Sequence, residues 1–128
     1  MNKLGLGAWG EVNAAKFLRD KGYDIVLSNY HSRFGEIDIV AADKRYIVFV
    51  EVKTRAEGSM VTGREAVNAE KQKKIVSTAL LYLQNTKDKR QPRFDVIEVV
   101  VKKSTRFEVV KINHIENAFG GENGNAIF

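Results

Sequence analysis

Two apolar runs carry charges where a chain can rarely hide them. Glu36-Ile37-Asp38-Ile39-Val40-Ala41 and Ile47-Val48-Phe49-Val50-Glu51-Val52-Lys53 are rich in Val and Ile and read as β-strands. The second is continuous enough to be a central strand covered on both faces. Asp38, Glu51 and Lys53 interrupt these runs. Such residues are seldom buried unless something pairs with them. Asp43-Lys44-Arg45 supplies a polar turn between the runs, so the two strands form a hairpin.

A hairpin makes this pattern testable. With an even number of loop residues, Asp38 lies opposite an odd-numbered residue, Phe49 or Glu51. Side chains alternate with period 2 and opposed residues share a face. Asp38, Glu51, Lys53 and Glu36 then point to one side. An odd loop would send Asp38 to the other side and dissolve the cluster.

The remaining pattern supplies the frame. Residues 8–21 read as an amphipathic helix with Ala8, Ala14, Ala15 and Leu18 in its stripe, ended by Lys21-Gly22. Tyr23–Tyr30 is a further strand before the hairpin strands Glu36–Ala42 and Tyr46–Lys53. Residues 64–85 form a longer helix with Val67, Ile75, Ala79 and Tyr82 inward. Arg93–Lys102 and Phe107–Ile112 are strands, and His114–Phe119 is read as a short helix. The tail from Gly120 is expected to be mobile. The order predicts one α/β domain over residues 1–119, a mixed central sheet flanked by helices. At 128 residues it can bury a core without disulfides, and it has no Cys to form them. No apolar run approaches a membrane span and the first residues lack signal-peptide character, so a cytoplasmic protein is expected.

The clustered residue types suit metal-assisted phosphate chemistry. Mg²⁺ prefers hard oxygen ligands and takes one or two carboxylates plus waters and phosphate oxygens. Paired carboxylates repel, and a divalent cation removes that cost. A lysine two residues beyond Glu51 shares its face and can steady the attacking water or the scissile phosphate. The Val52 carbonyl offers another ligand. The plainer reading is a polar sheet face with a Glu–Lys ion pair. Glu11 argues against it, because a helical wheel places it between Ala8, Ala15 and Leu18 on the inward face. A helix dipole favours an N-terminal glutamate but does not require its burial.

Several linked segments carry a resemblance: Gly10-Glu11, Asn29, Gly35-Glu36-Ile37-Asp38-Ile39-Val40, Phe49-Val50-Glu51-Val52-Lys53-Thr54-Arg55, Lys71-Gln72-Lys73-Lys74 and Arg93-Phe94-Asp95-Val96. Together they resemble the YraN-like family of small bacterial proteins, and more widely the PD-(D/E)xK nuclease superfamily with its archaeal Holliday-junction resolvases. The resemblance covers the chain up to the tail. It implies a restriction-endonuclease-like αβββαβ core and endonuclease activity with Mg²⁺, for which Mn²⁺ can substitute. It implies Asp38, Glu51 and Glu11 at the metal and Lys53 as the catalytic lysine. It also implies DNA rather than RNA as partner, branched DNA included, and a homodimer would suit a two-fold junction. Ile37 stands where the literal motif has Pro.

Around this centre, Arg55, Arg64, Lys71, Gln72, Lys73 and Lys74 are candidates for holding a nucleic-acid backbone; the alternative is a solvated basic helix face. The net charge of +5 agrees with a polyanionic partner. Asn29 is expected to tie a strand end to the Gly35 turn. Asp95 is read as a structural acceptor able to pair with Arg93. His31 and His114 lack zinc spacing, Trp9 is read as packing, and the Gly5/Gly7/Gly10 spacing has no preceding strand for a dinucleotide site. Two rival readings stand beside the nuclease: a nucleic-acid-binding module without turnover, and a subunit that docks a partner protein.

Overall fold

The computed structural model describes residues 5–59, 67–104 and 108–120. The elements are α1 (Leu6–Asp20), β1 (Asp24–His31), β2 (Glu36–Ala42), β3 (Tyr46–Ala56), α2 (Ala69–Thr86), β4 (Gln91–Val101) and β5 (Val109–Phe119). The strands form one mixed sheet in the order β1-β2-β3-β4-β5. Among the described strands only β3 and β4 run parallel, and α2 makes the crossover between them. This is the restriction-endonuclease-like αβββαβ core, extended by β5.

Each helix buries one stripe against one face of the sheet. Ala14, Ala15 and Leu18 of α1 pack on Ile39, Ala41, Val48, Val50, Ile97 and Val99. Ile75, Val76, Ala79 and Tyr82 of α2 pack on Val40, Ile47, Phe49, Phe94 and Val96. Covering on both faces explains why β2 and β3 read as nearly unbroken apolar runs. Among the described residues, no helix is long and apolar enough to cross a membrane.

The hairpin loop is even. Ala42 pairs with Ile47 and Ile39 with Val50, leaving residues 43–46 as the turn. The Asp43 carboxylate accepts from the N–H groups of Arg45 and Tyr46 at 2.8 Å each and fixes that turn.

Three expectations need correction. Ala8 is exposed, and Gly10 takes its place in the buried stripe of α1. The second helix starts at Ala69, because the Asn68 side chain caps it by accepting from Lys71 N–H at 2.9 Å; Val67 is buried ahead of the helix. His114–Phe119 is not a helix but the second half of β5. Its register against β4 shifts between Phe94 and Val96, and Asn117 takes a left-handed φ of 52° there. Asp95 fills this bulge and accepts from Asn117 N–H at 3.0 Å. Arg64, Phe107 and the tail beyond Gly120 lie outside the described residues.

Candidate active site

Val40, Ala42, Ile47 and Phe49 face α2, and alternation carries Asp38, Glu51 and Lys53 to the same face. Asp38 is 8% exposed and Glu51 only 3%. Charged groups so deep need partners, and these have them. Asp38 Oδ2 accepts from Val52 N–H at 2.8 Å. Glu51 lies close enough for its negative charge to act on this carboxyl. Glu51 Oε2 lies 3.3 Å from Lys53 Nζ and 2.6 Å from Lys71 Nζ. Three elements thus meet at one carboxylate pair: β2 gives Asp38, β3 gives Glu51 and Lys53, and the first turn of α2 gives Lys71.

Burial first, and then the negative charge of Glu51, push the Asp38 carboxyl up to about 7. For Lys71, burial works against the charge, but its hydrogen bond to Glu51 and the nearby carboxylates outweigh that and raise its pKa.

Glu11 enters from the opposite helix. Gly10 makes this approach feasible, because a Cβ there would collide with the Thr54 hydroxyl on β3. The first half of α1 therefore sits directly on the strand that carries Glu51. Glu11 lies beside Asn29, which takes a left-handed φ of 55° in β1 and favours the charged form of the Glu11 carboxyl. Burial, then the charges of Glu36 and Glu51, raise the Glu11 pKa against the opposing Asn29 bond. Asn29 thus serves Glu11; Ser32, not Asn29, braces the Gly35 turn through Ser32 N–H to Gly35 O at 2.8 Å.

The donor set fits a hard divalent cation. Asp38 and Glu51 are neighbouring oxygen ligands whose negative charges oppose one another, and a cation would remove that cost. Among the described residues, no three Asp, Glu or His groups form a ready-made cage. The remaining positions would therefore fall to water and phosphate oxygens, with Glu11 coupled electrostatically to both carboxyl groups from α1.

The flanking cations divide. Lys71 and Lys74 border a cleft of about 420 Å³ with Gly35, Glu36, Asn68, Glu70 and Ile75. Lys74 also pairs with Glu70 at 3.6 Å. Lys73 is exposed on the outer side of α2. Gln72 is turned inward, its Nε2 donating to Val67 O at 2.9 Å, so it braces the entry to the helix. Arg55 lies along the Lys53 face, but its guanidinium is held by buried Glu98, Nε to Oε2 at 2.8 Å. Glu98 is aligned with Lys53 across the parallel pair and also accepts from Asn113 Nδ2 at 2.7 Å. The sequence reading did not single it out. Its signal was the same as that of Glu51, a charge inside the apolar run Val96-Ile97-Glu98-Val99-Val100.

Fold and site together define an α/β domain of the restriction-endonuclease-like class, with a carboxylate pair and two lysines on the α2 face of its sheet. Residues 10–99 match the family model described as "Uncharacterised protein family UPF0102", and the chain belongs to that YraN-like family. The matched span includes Glu11, Asp38, Glu51, Lys53 and Lys71. A UPF0102 protein of Caldanaerobacter subterraneus subsp. tengcongensis is 45% identical over 120 residues, covering 93% of this chain and 98% of the relative. One from Alkaliphilus oremlandii is 48% identical over 123 residues, covering 93% of this chain and all of the relative. One from Chlorobium phaeobacteroides is 45% identical over 118 residues, covering 89% and 93%.

Proposed function

We propose that this protein is a Mg²⁺-dependent endonuclease that hydrolyses phosphodiester bonds in DNA, and that it works in the cytoplasm. The observation that carries this reading is the buried Asp38–Glu51 pair, two neighbouring carboxyl groups met by lysines from β3 and α2. A bound divalent cation supplies charge neutralisation and an acidified water. Asp38 and Glu51 would hold it, with Mn²⁺ able to replace Mg²⁺. Lys53, fixed beside Glu51, orients the attacking water and offsets charge gathering on the phosphate. Glu11 takes hydrogen bonds from water at the rim of the site. Lys74 and the exposed Lys73 attract the backbone on either side of the scissile bond. Arg55 keeps the Lys53 strand in register through Glu98 before it contacts any phosphate.

The test is cleavage of linear, flapped and four-way DNA in Mg²⁺ or Mn²⁺. Asp38→Ala and Lys53→Ala should each abolish cutting, by about 10³-fold or more, with the circular dichroism of the folded domain retained. A clean preparation that cuts none of these substrates sinks the reading. A second reading, binding without turnover, is favoured by one observation: the site's lysines already satisfy Glu51 internally. It predicts salt-sensitive DNA affinity that survives both substitutions.

A further inference from the structure

Two ammonium groups share one oxygen of Glu51. Lys53 Nζ and Lys71 Nζ both address Oε2, at 3.3 and 2.6 Å. A carboxylate oxygen has two lone pairs, and here two ammonium groups draw on the same oxygen. Glu51 is too deeply buried to go uncompensated, yet a single ammonium would serve. The second one, Lys71, holds the closer position and comes from a different element.

We propose that Lys71 is an exchangeable counter-ion that occupies the Glu51 oxygen needed by a divalent cation and yields it when that cation arrives with its phosphate. The idea rests on the metal reading above. Lys71 is suited to leave. Its side chain is 39% exposed against 27% for Lys53, and it lines the open cleft beside Gly35 and Asn68. Its backbone is pinned by the Asn68 cap while its flexible stem is free to swing. Mutual repulsion of the two ammonium groups also lowers the cost of moving one. In the cleft, next to Lys74, the released charge meets the phosphate that accompanies the metal. Lys71 is thus a positioning residue that biases the site toward metal bound together with substrate.

The test uses the full chain without nucleic acid, measuring free Mn²⁺ by electron paramagnetic resonance. Lys71→Met should bind Mn²⁺ about three- to tenfold more tightly than the wild type. Lys71→Arg, which keeps a cation on Glu51, should bind as the wild type does. Asp38→Asn should lose binding. As a second measure, Mn²⁺ should raise the melting temperature more in Lys71→Met than in the wild type. Unchanged or weaker binding by Lys71→Met, with Asp38→Asn still deficient, overturns the counter-ion role alone. A wild type that binds no Mn²⁺, or Asp38→Asn binding as well as the wild type, overturns the metal reading and this proposal with it.

Discussion

Asp38 carries an acid–base consequence that can be measured without any substrate. Its carboxyl sits at about 7 against an ordinary 3.8, through burial and the neighbouring Glu51. The folded state therefore keeps a proton that the unfolded chain releases. Its contribution is complete below the ordinary carboxylate range and is lost as the pH rises toward 7. Asp38→Asn keeps an acceptor for Val52 N–H and removes the ionisation. In EDTA the variant should match the wild type near pH 4 and exceed it at pH 8, by an amount on the order of 2–4 kcal/mol. Parallel thermal melts across that range would show it; curves that stay superimposed at pH 8 would mean Asp38 ionises at no cost. This residue was legible in the sequence because a charge inside an apolar run is physically anomalous. Glu98 obeys the same rule but is less conspicuous, because no second charge two residues on marks its face. The 2.6 Å contact of Lys71 with Glu51 was not legible, since spacing along α2 gives a face but not the depth to which a side chain reaches.

Among the elements, α1 depends on a missing side chain. Gly10 lets the helix rest on Thr54, and Glu11 follows from that seat. Gly10→Ala gains intrinsic helix propensity yet should destabilise the fold by about 1–3 kcal/mol through overpacking. Adding Thr54→Ala should restore much of that loss, a coupling that a double-mutant cycle in urea would read. Additive effects would show that the two residues do not touch. The hairpin was the best-read element, because alternation and a polar turn leave only its parity open, and Ala42 paired with Ile47 closes it. The end of β5 was the worst read. In His114-Ile115-Glu116-Asn117-Ala118-Phe119 only Ile115 and Phe119 favour a strand; a buried acceptor on another strand, Asp95, decides the outcome. Val67 fits the apolar stripe and makes α2 look longer in the sequence than it is, although Asn68 beside it is the cap.

At the scale of the molecule, two of the buried acidic centres among the described residues pull stability in opposite directions. On the α1 side, Asp95 is fully buried and accepts from Arg93 Nε at 2.9 Å, while His114 Nε2 lies 2.7 Å away. Burial would raise its pKa, but the bonds to His114, Arg93 and Asn117 outweigh burial and lower it. Its contribution is therefore present above the ordinary carboxylate range and lost as the pH falls through the lowered value. Asp38 acts in the reverse sense. The metal-free protein should be most stable between about pH 4 and 6, and Asp95→Ala should cost about 3–5 kcal/mol there by stranding Arg93. A melting profile that climbs steadily to pH 8 would contradict this. The parallel pairing of β3 with β4 has a consequence in time. The Asp38–Glu51 hairpin closes over a four-residue turn, whereas Lys71 arrives with a crossover that must bring distant strands together. Short closures are fast and long ones slow. A growing chain thus assembles its two acids early and waits for the helix that shields them, and during that interval ions in solution must do the shielding.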